Sequence, residues 1–161
     1  MLVEEKLISI FCEKNLTIAT AESCTGGLLS KRITDISGSS KIFGYGLCTY
    51  ANEAKQKLLG VSADSLEKFG AVSKEVAFEM ASGLLKLSGT DVVLCTTGIA
   101  SATGAPTGKP VGLVYLAVGK KAEHSIDVYE LNLESFKTRQ KIRNATADIA
   151  FAKAIEYAEC K

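Results

Sequence analysis

Leu16-Thr17-Ile18-Ala19-Thr20-Ala21-Glu22-Ser23-Cys24-Thr25-Gly26-Gly27-Leu28-Leu29-Ser30-Lys31-Arg32-Ile33 is the stretch on which the fold turns. Leu16 to Thr20 alternates apolar and polar residues, the period of a strand. Glu22 to Gly27 reads as a turn, and a helix is expected from around Thr25 to about Ile33. A strand feeding a helix through a Gly-rich turn is a building unit of α/β domains.

Working outward, residues 2–14 carry Leu2, Leu7, Ile8 and Phe11 at near-helical spacing, with Asn15 as the stop. Gly38-Ser39-Ser40 punctuates the chain before a second expected strand, Ile42 to Tyr50. Asn52 is the expected N-cap of a short helix ending near Gly60. Ser62 and Ser73 are expected to cap two further helices that stop at Gly70 and Gly89. The second of these presents Val76, Met80, Leu84 and Leu87 as one buried stripe. Asp91 to Thr96 and Val111 to Val118 are apolar runs of strand length, suited to strands covered on both faces. A hairpin through Lys120-Lys121 leads to Ser125–Leu133, and a final helix covers about Ser135 to Tyr157. The expectation is one α/β domain over residues 1–161: three layers, with a mixed β-sheet flanked by helices.

Composition narrows the function. The 161 residues hold 19 basic and 18 acidic side chains, a net charge of +1, so no broad cationic field favours nucleic acid or an anionic membrane. The longest run of apolar residues and glycine, Val111 to Gly119, falls well short of the roughly 20 that span a bilayer. Met1-Leu2-Val3-Glu4-Glu5-Lys6 has acids where a signal peptide needs a basic region. Cys12, Cys24, Cys48, Cys95 and Cys160 are odd in number and lack C-x-x-C spacing, which disfavours disulfides or zinc and suits a reducing cytoplasm. The single histidine, His124, lies in a hydrophilic stretch that reads as an exposed turn, so neither a multi-histidine metal site nor a Ser-His-Asp triad is expected.

The turn at Ser23 has three readings on local physics. Amides before a helix, with Gly26 and Gly27 allowing close approach, could hold a phosphate or an oxyanion. A serine there could instead attack a carbonyl, or Ser23 or Thr25 could simply cap the helix. Cys24 is a further nucleophile candidate, because helix N-termini lower thiol pKa values, or else a small buried apolar residue. A serine nucleophile needs a base, and Cys48-Thr49-Tyr50-Ala51-Asn52-Glu53-Ala54-Lys55 offers one. In the first turn of a helix, Lys55 meets the positive end of the dipole, which favours its neutral form. Tyr50 could relay or orient the proton; otherwise Lys55 is solvated and Tyr50 packs at a strand end.

These clusters resemble the CinA carboxy-terminal domain family, whose characterised members are nicotinamide-nucleotide amidohydrolases. The resemblance runs through Thr20–Gly27, Thr34–Ser40, Thr49–Lys55, Leu59–Val61, Gly70–Ser73, Thr97–Ala100 and Lys109–Gly112. It implies a Ser/Lys hydrolase converting nicotinamide mononucleotide (NMN) to nicotinic acid mononucleotide and ammonia, with no metal or organic cofactor. It implies Ser23 as nucleophile, Lys55 as general base and Tyr50 as the assisting tyrosine. Substrate binding falls on Cys24, Thr25, Gly26, Gly27, Thr97, Gly98 and Arg139, and the assembly would be a homo-oligomer.

Two departures stand out. Lys137-Thr138 replaces a Gly-Asp pair that often precedes the family's arginine, which falls on Arg139; Arg143 lies on the same helix face, at i+4. The loop Ser101-Ala102-Thr103-Gly104-Ala105-Pro106-Thr107-Gly108 replaces the family's Gly-Pro-x-Gly-Gly pattern. That change bears on substrate identity or rate more than on chemistry. The alternative is a catalytically silent, or differently specific, nucleotide-binding module.

Overall fold

A computed structural model describes residues 1–161. Its elements, in chain order, are α1 (Val3–Glu13), β1 (Ile18–Glu22), α2 (Leu28–Thr34), β2 (Phe43–Cys48), α3 (Asn52–Leu59), α4 (Ala63–Phe69) and α5 (Lys74–Ser88). β3 (Val92–Gly98), β4 (Leu113–Lys120), β5 (Ser125–Asn132) and α6 (Arg139–Glu159) follow. The strands form one sheet in the order β2-β1-β3-β4-β5. β1 runs parallel to β2 and β3, and β4 and β5 add antiparallel to β3, so the sheet is mixed.

Alternation along the inner strands builds two cores. Ile18, Val92, Leu94, Leu116 and Val118 face one side, against Leu7 and Phe11 of α1, Leu29 and Ile33 of α2, and Phe151 and Ala154 of α6. Ala19, Ala21, Val93, Cys95 and Ala117 face the other, against Val76, Met80 and Leu84 of α5. Full burial of a side chain such as Leu7 or Phe11 contributes about 1.5–3 kcal/mol. The three-layer expectation is met. α5 also lies close against the end of α3: a Cβ on Gly83 would come within 1.8 Å of the Leu59 carbonyl oxygen, so only glycine fits there.

Several boundaries differ from the sequence reading, each for a physical reason. β1 is shifted to Ile18–Glu22, and α2 begins at Leu28 rather than near Thr25. The cause is Glu22: its carboxylate accepts the Leu29 and Ser30 amides at 2.8 and 3.1 Å and caps α2 from the strand end. Residues 23–27 are thereby kept as a turn. Ser62 and Ser73 cap their helices as expected, accepting from the Ser65 and Val76 amides. Asn52 does not; Ala51 occupies the N-cap position and Asn52 is already helical. Leu87 leaves the expected stripe and is exposed. α6 starts four residues late, after a 3-10 turn at Glu134–Phe136 and a positive φ at Lys137.

The chain leaves β1 for β2 on one side and returns to β3 on the other. Open α/β sheets bind ligands at such a switch, beyond the carboxyl ends of the strands. Three segments emerge there side by side: Ser23 after β1, Thr49 to Lys55 after β2, and Thr97 onward at the end of β3. His124 is exposed, in the β4–β5 hairpin at the opposite end of the sheet. No helix is long and apolar enough to cross a membrane.

Candidate active site

Backbone bonds continue one residue past β1 and lock Ser23 between its neighbours. The Ser23 amide donates to the Thr96 carbonyl at 2.9 Å, and the Thr49 amide donates to the Glu22 carbonyl at 2.8 Å. Gly26 (φ +56°) and Gly27 (φ +97°) then reverse the chain into α2 through the left-handed region, which glycine enters without strain. Thr25 is fully buried, and its hydroxyl is 2.7 Å from that of Thr96. The turn is therefore held from below on both strands.

α3 brings Lys55 back over this turn. Its Nζ lies 3.0 Å from Ser23 Oγ, 2.8 Å from the Thr49 carbonyl and 3.1 Å from the Tyr50 carbonyl. Lys55 is 1% exposed and forms no ion pair. Burial without a counter-charge disfavours the ammonium, and its pKa is lowered to about 8. The lowering expected from the helix dipole thus has a different main cause, loss of solvent around the charge. A neutral amine has two N–H donors and one lone pair. Two carbonyls and one hydroxyl match that set, so Lys55 can accept the Ser23 proton.

Cys24 answers the nucleophile question in the opposite sense. Its thiol is buried, and desolvation pushes its pKa up to about 12, so a thiolate is not available near neutrality.

Ser23 and Lys55 line a cavity of about 240 Å³, together with Cys24, Tyr50, Thr97, Gly98 and Arg139. Seven of the ten residues singled out from sequence therefore share one cavity. Thr25, Gly26 and Gly27 do not line it and act from beneath, through the shape of the turn. The expected use of the α2 N-terminus as an anion cradle is corrected too, because the Glu22 carboxylate already occupies it. The Cys24 and Thr25 amides have no acceptor elsewhere in the protein, and of these two residues Cys24 lines the cavity.

Tyr50 contributes a carbonyl, not its phenol, to Lys55; its side chain is exposed and its hydroxyl accepts from Arg139 at 2.9 Å. Arg139 also donates to Ser101 Oγ at 3.0 Å, bridging the cavity mouth from Tyr50 to the 101–108 loop. The Thr97 hydroxyl donates to the Ala71 carbonyl at 2.7 Å. A larger open cleft of about 740 Å³ lies beyond Arg139, lined partly by Val111, Glu134 and Lys137, but it holds neither Ser23 nor Lys55. Sequence reasoning missed Glu22 as a cap, Ser101 as a partner of Arg139, and the separate fate of Arg143. Arg143 donates to the Thr25 carbonyl and does not line the cavity. No group of three or more His, Cys, Asp and Glu side chains is placed to hold a metal ion.

Comparison with known proteins identifies the family and the fold. A model of the CinA C-terminal domain matches residues 2–158. The CinA-like protein of Kosmotoga olearia is 47% identical over 148 residues, which is 92% of this chain and 35% of that protein. The CinA-like protein of Geobacter sulfurreducens is 49% identical over 145 residues, 90% of this chain and 34% of that protein. The chain thus spans about a third of the length of these curated relatives. The crystal structure of the competence/damage inducible protein CihA from Agrobacterium tumefaciens superposes with a TM-score of 0.90 at 39% identity, covering 96% of this chain and 94% of that one. A competence-damaged protein (CinA) superfamily structure from Escherichia coli gives 0.88 at 29% identity, covering 97% and 90%. On fold, sequence and the extent of the match, the chain belongs to the CinA C-terminal domain family.

Proposed function

We propose that this chain is a serine amidohydrolase that converts NMN to nicotinic acid mononucleotide and ammonia. The observation that carries the reading is the contact between buried, unpaired Lys55 and Ser23. A structural lysine gains nothing from such a place, whereas a general base gains a pKa near working pH.

Lys55 in its neutral form takes the Ser23 proton as Oγ attacks the carboxamide carbon. The oxyanion is held by the free amides of the turn. The C–N bond breaks and the Lys55 ammonium returns the proton to the leaving nitrogen, releasing ammonia. Water, deprotonated by Lys55, then attacks the acyl ester, and Ser23 leaves with the proton that Lys55 gives back. Arg139, at the mouth and at the first position of α6, suits the 5′-phosphate. No step calls for a metal or organic cofactor.

A cytoplasmic homo-oligomer belongs to the same reading. β2 is an edge strand without charge or proline, open to a second copy, and light scattering would report the state. The test of function is direct. Purified protein given NMN in the presence of a chelator should release ammonia in step with nicotinic acid mononucleotide. Bound NMN with no ammonia would replace this reading with a silent nucleotide-binding module, a change the 101–108 loop could produce.

A further inference from the structure

Arg143 is the one cation that reaches the nucleophile turn from outside the cavity. It lies one helical turn beyond Arg139, and its Nη2 donates to the Thr25 carbonyl at 2.7 Å. It has no ion pair, and its Nε is buried without a hydrogen-bond partner. A guanidinium held this way stabilises the fold poorly, since a buried unsatisfied donor costs about 1–3 kcal/mol. Its placement calls for another explanation.

The peptide groups supply one. The peptide whose carbonyl Arg143 binds carries the Gly26 N–H, which donates to the Ser23 carbonyl at 3.0 Å. The Ser23 peptide in turn carries the Cys24 N–H, which has no acceptor elsewhere in the protein. From Arg143 through Thr25–Gly26 to Ser23–Cys24, each group donates in the same sense, so each bond polarises the next. The open end is the amide directly after the nucleophile, where acyl-transfer sites place an oxyanion donor.

We propose that Arg143 is a positioning residue of the hydrolytic site: it fixes and polarises the turn so that the Cys24 amide donates more strongly to the oxyanion. The proposal rests on Ser23 being the nucleophile, but not on NMN being the substrate. Arg143 and Arg139 therefore divide the work of one helix face. Arg139 faces the ligand, and Arg143 faces the backbone that handles the developing charge.

The experiment uses a fluorophosphonate, whose phosphoryl oxygen needs the same donors. Ser23 Oγ bonds to phosphorus, fluoride leaves, and Lys55 takes the hydroxyl proton. The rate of Ser23 labelling is read by peptide mass spectrometry, and the fold is checked by circular dichroism. Arg143→Ala should label about tenfold or more slowly, below the effect of deleting an oxyanion donor outright. Added guanidinium ion should restore much of that rate, and Arg143→Lys should be intermediate. On NMN, kcat should fall by a similar factor with KM little changed. A folded Arg143→Ala that labels at the unmodified rate overturns the proposal. So does a slow variant that guanidinium does not rescue, which would make Arg143 a simple brace. If Arg143→Ala does not fold, Arg143→Lys carries the test, and an unchanged rate in it overturns the proposal. Labelling of Ser23 without ammonia from NMN would remove the substrate and leave this inference standing; no labelling of the unmodified protein would overturn both.

Discussion

Lys55 Nζ, on α3, lies 3.0 Å from Ser23 Oγ, in the turn after β1, across 32 residues of sequence. The lysine has carbonyl and hydroxyl partners only, and its burial holds its pKa near 8. The hydrolytic account depends on this pair.

The first consequence is a pH profile. Activity requires neutral Lys55, so kcat/KM should rise with pH through about 8 and level off above it. Stability should move the same way. The folded pKa lies below the ordinary lysine value of 10.5, so between the two the unfolded chain binds the extra proton. The cost of the buried ammonium is full below about 8 and disappears as pH rises towards 10.5. A pH series of initial rates and of thermal unfolding, with Lys55→Met as control, checks both signs. A flat rate profile from pH 6 to 10 would contradict the assignment.

Arg139 should set the preference for an anionic substrate. With the native residue, NMN should be hydrolysed far better than its dephosphorylated riboside. Arg139→Ala should lower kcat/KM for NMN by about 10- to 100-fold, a charge-assisted hydrogen bond contributing about 1.5–3 kcal/mol, and leave the riboside little changed. Steady-state kinetics on the two substrates decide it.

Gly27 is held at φ +97°, and a Cβ there would also lie 3.2 Å from Cys48 Sγ. Gly27→Ala should destabilise the protein by about 1–3 kcal/mol, several degrees in Tm for a chain of this size. Calorimetry would read the shift.

Lys137 carries strain of the opposite use. Its φ of +63° and ψ of −39°, with the Thr138 amide donating to the Phe136 carbonyl at 2.7 Å, make a γ-turn in a region disfavoured for a side chain. Lys137→Gly should raise stability by about 1 kcal/mol, the relief exceeding glycine's extra chain entropy. An unchanged or lowered Tm would mean that the turn is not strained.

The sequence carried the sheet and the helical layers, because apolar periodicity and Gly-rich punctuation are local signals, whereas Ser23 and Lys55, 32 residues apart, were assigned as a pair only through the family resemblance. It did not carry the start of α2, since the cap comes from Glu22 on the preceding strand rather than from a serine or threonine at the helix itself. Tyr50 was legible as a site residue, but its contact with Lys55 is through a carbonyl, which leaves no mark in residue type. Arg139 and Arg143 share one helix face in the sequence, and only the resemblance singled out Arg139. Only the loops that arrive at that face separate them: those after β2 and β3 bring Tyr50 and Ser101 to Arg139, and the turn after β1 brings Thr25 to Arg143.

The most direct test of the hydrolytic account is ammonia release from NMN by the unmodified protein and by Ser23→Ala, Lys55→Met and Cys24→Ser. The account predicts loss of about 10²–10⁴ or more in kcat for Ser23→Ala and Lys55→Met. Cys24→Ser should stay within about tenfold of the unmodified rate, because a neutral buried thiol does no chemistry. Folded Ser23→Ala that still releases ammonia, or a Cys24→Ser that does not, would contradict it.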